Sequence, residues 1–302
     1  SEVASLLLNV KDMVVEAANS GALSREEIEA NQLQVDSAIE SITRISNTTT
    51  FAGLRLIDGS LDYITSGVST SAFTSLQVNQ ANFGSAEHIP VNIDVITSAQ
   101  TAQLQFRTSA IGADPLTLEI TGNEGVDTLT FAGNTNAGAI ISAVNRLSDV
   151  TGVQAVPINS SNISSGVTFQ STGWGSRQFV SIKAQTGVFA TTDVDGNATQ
   201  RDVGRDATAS INGALTVADG LDIKLNTSTL DMELTLNENF GQGQQSFAVT
   251  GGGALFQLGS KVTANQQVNI SIASVAASKL GDQEVGFLND IISGGGASLV
   301  AG

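Results

Sequence analysis

The residues of this 302-residue sequence that could take part in catalysis are one histidine and a few paired carboxylates. His88 is the only histidine, and no G-x-S-x-G nucleophile elbow accompanies it to build a Ser-His-Asp triad. The pairs Asp193/Asp195 and Glu124/Asp127 could serve a glycosidase, which places two carboxyl groups across a sugar. Both pairs lie in Gly- and Asn-rich turn sequence, where carboxylates usually face solvent. We therefore predict that the chain is not an enzyme.

A cation site is the second kind of chemistry to consider, in the stretch DVDGN at residues 193–197. Alternating Asp and Asn oxygens suit a hard cation such as Ca²⁺. An EF-hand loop would need Gly at Ala198 and a bidentate Glu at Gly204, so that pattern fails. Two interpretations remain open: a plain turn, or a single-loop Ca²⁺ site. We expect no cofactor apart from this alternative, whose ligands would be Asp193, Asp195 and Asn197.

Glycan binding is the third kind of chemistry, suggested by STGWGSRQF at residues 171–179. Trp174, the only tryptophan, could stack on a sugar ring, and Arg177 could pair with the carboxylate of a uronate. The competing interpretation is that Trp174 belongs to a domain core or a strand edge. Aromatic residues make up only 5% of the chain, which argues against an extended carbohydrate platform.

Composition excludes several other functions. The net charge of −16 repels polyphosphate, and no Lys/Arg cluster offsets it, so nucleic-acid binding is not expected. The chain has no cysteine, which removes disulfides and thiol chemistry. No apolar run reaches membrane-spanning length. The sequence starts without Met inside a helical pattern, so we interpret it as a fragment with missing ends.

The first 48 residues have helical periodicity. The opening segment repeats apolar residues every three or four positions, and Asn19-Ser20-Gly21 should stop that helix. Ser24 and Glu27 form the pattern of a capping box at the start of a second helix. The residues that we expect to pack these helices, within the chain or between subunits, are Leu6, Leu7, Val10, Met13, Ile28, Val35, Ile39 and Ile42.

The apolar stripe of the second helix is narrow, with positions near heptad a and d. Such a stripe favours packing along other long helices. An antiparallel helical hairpin inside one domain fits the same residues, and the sequence leaves the two arrangements open.

From Thr48 onward the pattern changes to that of strands. Leu54 and Leu56 with the Asp58-Gly59 turn predict a short strand and hairpin. Alternating runs such as Leu230–Leu236 should each bury one face. Asn136 should cap a helix inside this strand-rich region. We predict an α+β domain inserted at residues 97–251, with Gly251-Gly-Gly253 as the hinge leading out of it.

Two motifs in these segments resemble bacterial flagellins. LLLNVKDMVVEAANSG followed by ESITRISNTTTFAGLRLIDGS is similar to the family's R-D-L-A-V-Q-A-A-N and E-I-x-R-I-x-x-T-x-F-N-G-x-x-L-L-D-G segments. ALFQLGSKVTANQQVNISIASVAASKLG, residues 254–281, is similar to the F-Q-I-G segment before the family's C-terminal helix. The stretch TLTFAGNTNAGAIISAVNRLSDVTGVQA also resembles a module in the variable regions of larger flagellins. The two end motifs occur in the family's order.

The resemblance implies a structural protein of the bacterial flagellum or cell surface, located outside the cell. In flagellins the chain ends meet as helices that stack along the filament, while the middle forms outward domains. The expected function is thus a filament subunit that serves motility, with other flagellin subunits as partners. The alternative is a flagellin-like adhesin that binds polysaccharide through Trp174 and Arg177. The terminal helices that line the filament's inner tube look absent, so these 302 residues alone should be monomeric.

The expected fold class is α+β: a helical hairpin or bundle with β-hairpins made from both chain ends, plus inserted β-rich outer domains. The predicted boundaries are 1–96 with 252–302 for the helical domain, and 97–251 for the insert, which could divide at about residue 165. The chain departs from the family at Asn9, Gln34 and Ala52, where Arg, Glu and Asn are usual. Because the first two positions lie on the surface that a vertebrate innate receptor recognises in the family, that recognition is not carried over to this chain.

Overall fold

The computed structural model describes residues 2–18, 24–51, 53–84, 86–260, 266–282 and 285–300. The predicted helix stop at Asn19-Ser20-Gly21 and the family position Ala52 lie outside these ranges. Within them the fold is α+β with mostly β strands, as predicted. Its helices are α1 (Glu2–Ala18), α2 (Arg25–Thr48), α3 (Ala137–Asn145) and α4 (Ser148–Thr151), with a 3₁₀ turn at Leu288–Ile291.

The strands fall into six sheets. They are β1 (Thr50–Phe51), β2 (Leu54–Arg55), β3 (Tyr63–Ser66), β4 (Phe73–Ala81), β5 (Ile89–Thr97), β6 (Gln103–Phe106), β7 (Leu116–Thr121), β8 (Val126–Phe131), β9 (Val153–Asn159), β10 (Asn162–Ser171), β11 (Phe179–Thr186), β12 (Arg201–Val203), β13 (Thr208–Ile211), β14 (Ala214–Leu215), β15 (Val217–Asp219), β16 (Asp222–Asn226), β17 (Leu230–Leu236), β18 (Gly243–Gly252), β19 (Ala254–Gln257), β20 (Gln267–Ile270), β21 (Gly281–Asp282) and β22 (Gly286–Phe287).

Two of the sheets form a sandwich, here called the sandwich domain. One has the strand order β14-β13-β5-β18-β3, and the other has the order β15-β16-β17-β4-β20-β19. Their inner faces share one apolar core, because alternate residues of each strand point inward. Phe73 of β4 and Phe247 of β18 meet across the sheets with ring centroids 6.4 Å apart.

A second β-rich unit, here called the inserted domain, contains β6–β12 with α3 and α4. Its sheets have the orders β6-β10-β9 and β12-β11-β7-β8, and α3 packs against β9 and β10. The predicted Asn136 cap is confirmed, since its side chain accepts from Ala139 N–H at 2.9 Å. Phe106 stacks on Phe189 at 4.1 Å in the core.

The third unit, here called the helical layer, contains α1, α2 and the described residues from 277 to 300. Val10, Val35, Ala38, Ile39 and Ala277 form its buried cluster. The predicted capping box starts α2 as expected: Glu27 N–H donates to Ser24 Oγ at 3.3 Å, and Ser24 N–H donates to Glu27 Oε2 at 2.7 Å. No helix in the described ranges is long and apolar enough to cross a membrane.

The core boundaries differ from the predicted domain boundaries. Strands β4 and β5, predicted to belong to the helical domain, pair with β17 and β18 and share the sandwich core. Of the strands in the predicted insert, β6–β12 belong to the inserted domain and β13–β18 to the sandwich domain. The reason is long-range pairing: β4 and β17 are separated by about 150 residues along the chain, and local periodicity does not reveal the partner of a strand.

The chain enters and leaves the inserted domain at one place. Gln100 and Arg205 form an isolated antiparallel bridge, with N–H···O distances of 2.8 and 3.0 Å in the two directions. Close by, the Asp206 carboxylate accepts from Ser176 N–H and from Gly220 N–H, each at 2.8 Å. Asp206 thus joins a loop of the inserted domain to a turn of the sandwich domain.

Candidate functional site

The helical layer contains the side chains that the sequence singled out for packing. Val35 and Ile42 are fully buried, and Val10 and Ile39 are nearly so. The other four predicted packing residues, Leu6, Leu7, Met13 and Ile28, are half-buried. Leu6 and Met13 contact the buried cluster, as do apolar residues of the C-terminal arm: Leu288, Ile291, Ile292 and Leu299. The two arms of the chain thus share one core.

Two polar residues of α2 attach the C-terminal arm to the helix. Gln32, which is 2% exposed, donates to Ile291 C=O at 2.9 Å and accepts from Leu299 N–H at 2.7 Å. Its amide also donates to Asp36 Oδ1 at 2.8 Å, and Asp36 accepts from Ser293 N–H at 2.9 Å. These bonds fix the path of residues 291–299 over the helix.

Sequence reasoning missed this pair of residues. The signal was a glutamine four positions after Ile28 and three before Val35, inside the apolar stripe of α2. A polar residue at such a position either interrupts the stripe or has buried partners.

Two opposing influences act on the pKa of the Asp36 carboxyl group. Partial burial raises its pKa, but the hydrogen bonds from Ser293 and Gln32 outweigh burial and hold the pKa below its ordinary value of 3.8. The charged form is therefore the one that holds the C-terminal arm.

A groove of about 450 Å³ lies between α1 and α2. It is lined by Leu6, Asn9, Asp12 and Met13 of α1 and by Gln34, Ser37, Ala38 and Ser41 of α2. Asn9 and Gln34, the positions where this chain departs from the flagellin pattern, therefore face one groove. The small residues of α2 on its floor would allow another backbone to approach closely.

Both helices also carry large apolar residues on their exposed faces. Leu8 and Val15 of α1 are more than half exposed, as is Leu33 of α2. Leu8 and Val15 are seven residues apart, so they lie on one face of α1. The helical layer therefore buries one apolar face inside the chain and exposes another.

The predicted glycan residues lie at the junction of the two β domains. Trp174 is half-buried and packs against the sandwich core, and its backbone adjoins Gly220. Arg177 is exposed, and its guanidinium forms an ion pair with Asp219 of β15. Both residues thus have partners within the chain, and glycan binding by them stays a prediction.

The predicted cation loop is a hydrogen-bonded turn. The Asp193 carboxylate accepts from Asn197 N–H and from Asn197 Nδ2–H, both at 2.8 Å. These bonds from Asn197 hold the pKa of Asp193 below its ordinary value. Within the described residues there is no group of three or more His, Cys, Asp or Glu side chains that could hold a metal ion. Calcium binding by Asp193, Asp195 and Asn197 therefore also stays a prediction.

One cleft brings these two predicted sites together. It has a volume of about 480 Å³ and contains Trp174, Asp193, Asp195, Asp202 and Glu238. Arg177 does not line it. Asp202 is already bound, because its Oδ2 accepts from Gln103 N–H at 2.7 Å.

The residues considered for catalysis remain apart. His88 is exposed in the segment before β5. Glu124 is exposed in the β7–β8 turn, and the Asp127 carboxylate accepts from Thr128 N–H. No described contact joins His88 to a serine or a carboxylate.

Comparison with known proteins gives a family match for part of the inserted domain. Residues 117–173 match the flagellin hook IN motif, a stretch that runs from β7 to the residues after β10. No curated protein sequence matches the chain significantly. The family match supports a structural role in the bacterial flagellum.

Several solved structures of flagellar cap proteins are similar to the chain. The D1-D2-D3 domains of the cap protein FliD from Escherichia coli align with 20% identity and a TM-score of 0.43, covering 72% of this chain and 64% of that one. The D2-D3 domains of the same protein align with 19% identity and a TM-score of 0.44, over 63% and 99%. FliD from Bdellovibrio bacteriovorus aligns with 12% identity and a TM-score of 0.38, over 62% and 99%.

Proposed function

We propose that this chain is a structural subunit of the bacterial flagellar filament, which polymerises outside the cell through its helical layer and exposes its β domains. One observation carries the proposal: a flagellin hook IN motif lies in a domain inserted between two chain arms, and both arms return to one helical layer. This is the arrangement that the flagellin resemblance of the two chain ends implies.

The surfaces of the helical layer support polymerisation. Leu8, Val15 and Leu33 are exposed, so a monomer in water leaves apolar area uncovered on both helices. Neighbouring subunits that bring long helices side by side would cover it, and each buried methylene would contribute about 0.8 kcal/mol. The groove beside Asn9 and Gln34 would accept a further helix of the assembly.

The β domains suit an outward position. Each of them buries an apolar core of its own among the described residues. Most of the 29 acidic residues lie in the β domains or on exposed helix positions, and like charge keeps such surfaces apart in solution. A polysaccharide-binding adhesin gains no support from the described contacts, because Arg177 is paired with Asp219 and Trp174 packs on the sandwich core.

Electron microscopy with antibodies against the 302-residue chain would test the proposal. Immunogold particles should decorate flagella along their whole length. Labelling restricted to the filament tip, or labelling of the cell surface without flagella, would overturn the assignment as a filament subunit.

A second test addresses the helical layer itself. Cells that produce the full-length protein with Leu8→Glu and Val15→Glu should form fewer and shorter filaments. The control is Val188→Glu, the same kind of change at a residue of the inserted domain that is 89% exposed. Equal filament length in the wild-type strain, the strain with both Leu8→Glu and Val15→Glu, and the Val188→Glu strain would contradict a role of this helix face in assembly.

A further inference from the structure

The sandwich domain has two open edges at opposite ends. At one end, β14 of the five-stranded sheet and β15 of the six-stranded sheet follow each other with one residue between them. At the other end, β18 continues into β19 across Gly253, so that β3 and β19 end their sheets side by side. Each end thus presents an outermost strand in both sheets.

The β19–β20 hairpin projects from its end of the domain. Strand β20 pairs with β4 through a single residue pair, Ile270 with Gln80, so β19 and the rest of β20 lie beyond the pairing with the sandwich. Its apolar side chains are exposed on both faces: Leu255 and Phe256 are neighbours on β19, and Leu258 follows. An exposed apolar edge strand is ready to pair with another chain.

The opposite edge is apolar as well. Leu215 of β14 and Val217 of β15 are 73% and 76% exposed, and one residue separates them where the chain passes from one sheet to the other. Asp219, at the end of β15, forms its ion pair with Arg177. This edge therefore presents apolar side chains. The carboxylate that lies on β15, that of Asp219, is already paired with Arg177.

Charge indicates what covers these edges. The chain has 29 acidic residues, yet none lies between positions 239 and 281, and residues 207–218 contain no charged residue. Two copies of a protein with net charge −16 repel each other wherever carboxylates meet. A partner of opposite charge would instead be attracted to acidic edges. Apolar edges with little unpaired negative charge, on a chain that is otherwise acidic, are what contact with a second copy requires.

We propose that the sandwich domains of neighbouring copies join head to tail, with the β19–β20 hairpin of one copy on the β14–β15 edge of the next. The direction of this contact rests on the proposed function, because subunits repeated along a filament meet through unlike surfaces. The contact is an interface additional to the helical layer. It would make the sandwich domains a continuous row.

The contact is weak in an isolated pair. Three side chains on one copy and two on the other cover far less than the roughly 800 Å² per partner of a stable interface. The 302-residue chain therefore stays monomeric at micromolar concentration, and the contact forms when protein is concentrated or when the helical layers hold copies together.

Cysteine cross-linking tests this geometry, since the chain has no native cysteine. One sample mixes the Val217→Cys and Phe256→Cys variants of the 302-residue chain at high concentration under mild oxidation. The controls are each variant alone and a mixture of Val188→Cys with Phe256→Cys. The mixture of the two edge variants should give about tenfold more disulfide-linked heterodimer than the Val188 mixture. Adding Leu215→Glu to the Val217→Cys chain should remove that excess.

The outcomes separate the two proposals. Homodimers of Phe256→Cys alone at the level of the mixture would show that like edges pair, which overturns the head-to-tail contact. Heterodimer no more abundant than with Val188→Cys would overturn it too. Both results leave the immunogold test of the filament role unaffected, and immunogold labelling restricted to the tip would leave a cross-linked pair intact.

Discussion

The helical layer and the two β domains differ in how many apolar side chains they bury. Within the described residues, each β domain buries a cluster of twenty apolar residues, whereas the cluster of the helical layer has five. The helical layer adds polar contacts from Gln32 and Asp36 and leaves Leu8, Val15 and Leu33 exposed. The difference teaches that each β domain is held by a large apolar core, while the helical layer depends on fewer buried side chains and on polar contacts.

The largest effect should come from placing a charge in the smaller core. Val35→Asp buries a carboxylate without a partner and should lower the free energy of unfolding of the helical layer by about 5 kcal/mol. The helical signal in circular dichroism should then fall while the β signal stays. Leu33→Asp, two residues away on the same helix and 68% exposed, is the control. An unchanged melting temperature for Val35→Asp would contradict the comparison.

A cavity in a β domain should lower the free energy of unfolding nearly as much, but it should do so for a different unit of the molecule. Phe169 is fully buried and meets Phe189 edge to face with ring centroids 6.0 Å apart. Phe169→Ala should lower the free energy of unfolding of the inserted domain by about 3–5 kcal/mol, measured in urea. The exposed Phe51→Ala serves as control. Equal loss of the helical signal in the same transition would show that the units unfold together.

Local sequence rules predicted the elements better than their partners. The Ser24–Glu27 box and the Asn136 cap follow from hydrogen bonds over three residues, and both are confirmed. The pairing of β5 with β18 was not predictable, because it joins segments about 150 residues apart that have the same alternating pattern. Sequence reasoning also missed the shared cleft of Trp174 and Asp193, because both lie between strands, where no periodic pattern indicates which residues meet.

A smaller effect should follow from releasing the C-terminal arm. Gln32→Ala leaves Leu299 N–H and Ile291 C=O without their partner, which should cost about 2 kcal/mol. Amide hydrogen exchange at Leu299 should quicken while α1 keeps its protection. Gln34→Ala, at an exposed position of the same helix, should leave both unchanged. If Leu299 exchanges at the wild-type rate in Gln32→Ala, this contact does not hold the arm.

The smallest effect should be that of acid on Asp36. Its pKa is below 3.8 in the folded chain, so its stabilising contribution is fully present above pH 3.8 and is lost as pH falls through the lowered value. The difference in free energy of unfolding between wild type and Asp36→Asn, about 1 kcal/mol at pH 7, should therefore shrink in acid. Glu16→Gln, at an exposed position of α1, is the control. A difference that is the same at pH 7 and pH 3 would contradict the role of the charge.

The bridge between Gln100 and Arg205 marks a position where a whole domain could be removed or replaced during evolution. Because the two strands that connect the inserted domain are already hydrogen-bonded to each other, a gene that lost residues 101–204 would need only a short turn to close the sandwich domain. The same site would accept a domain of different size or sequence. The inserted domain could therefore be lost or exchanged without altering the strands of the sandwich domain.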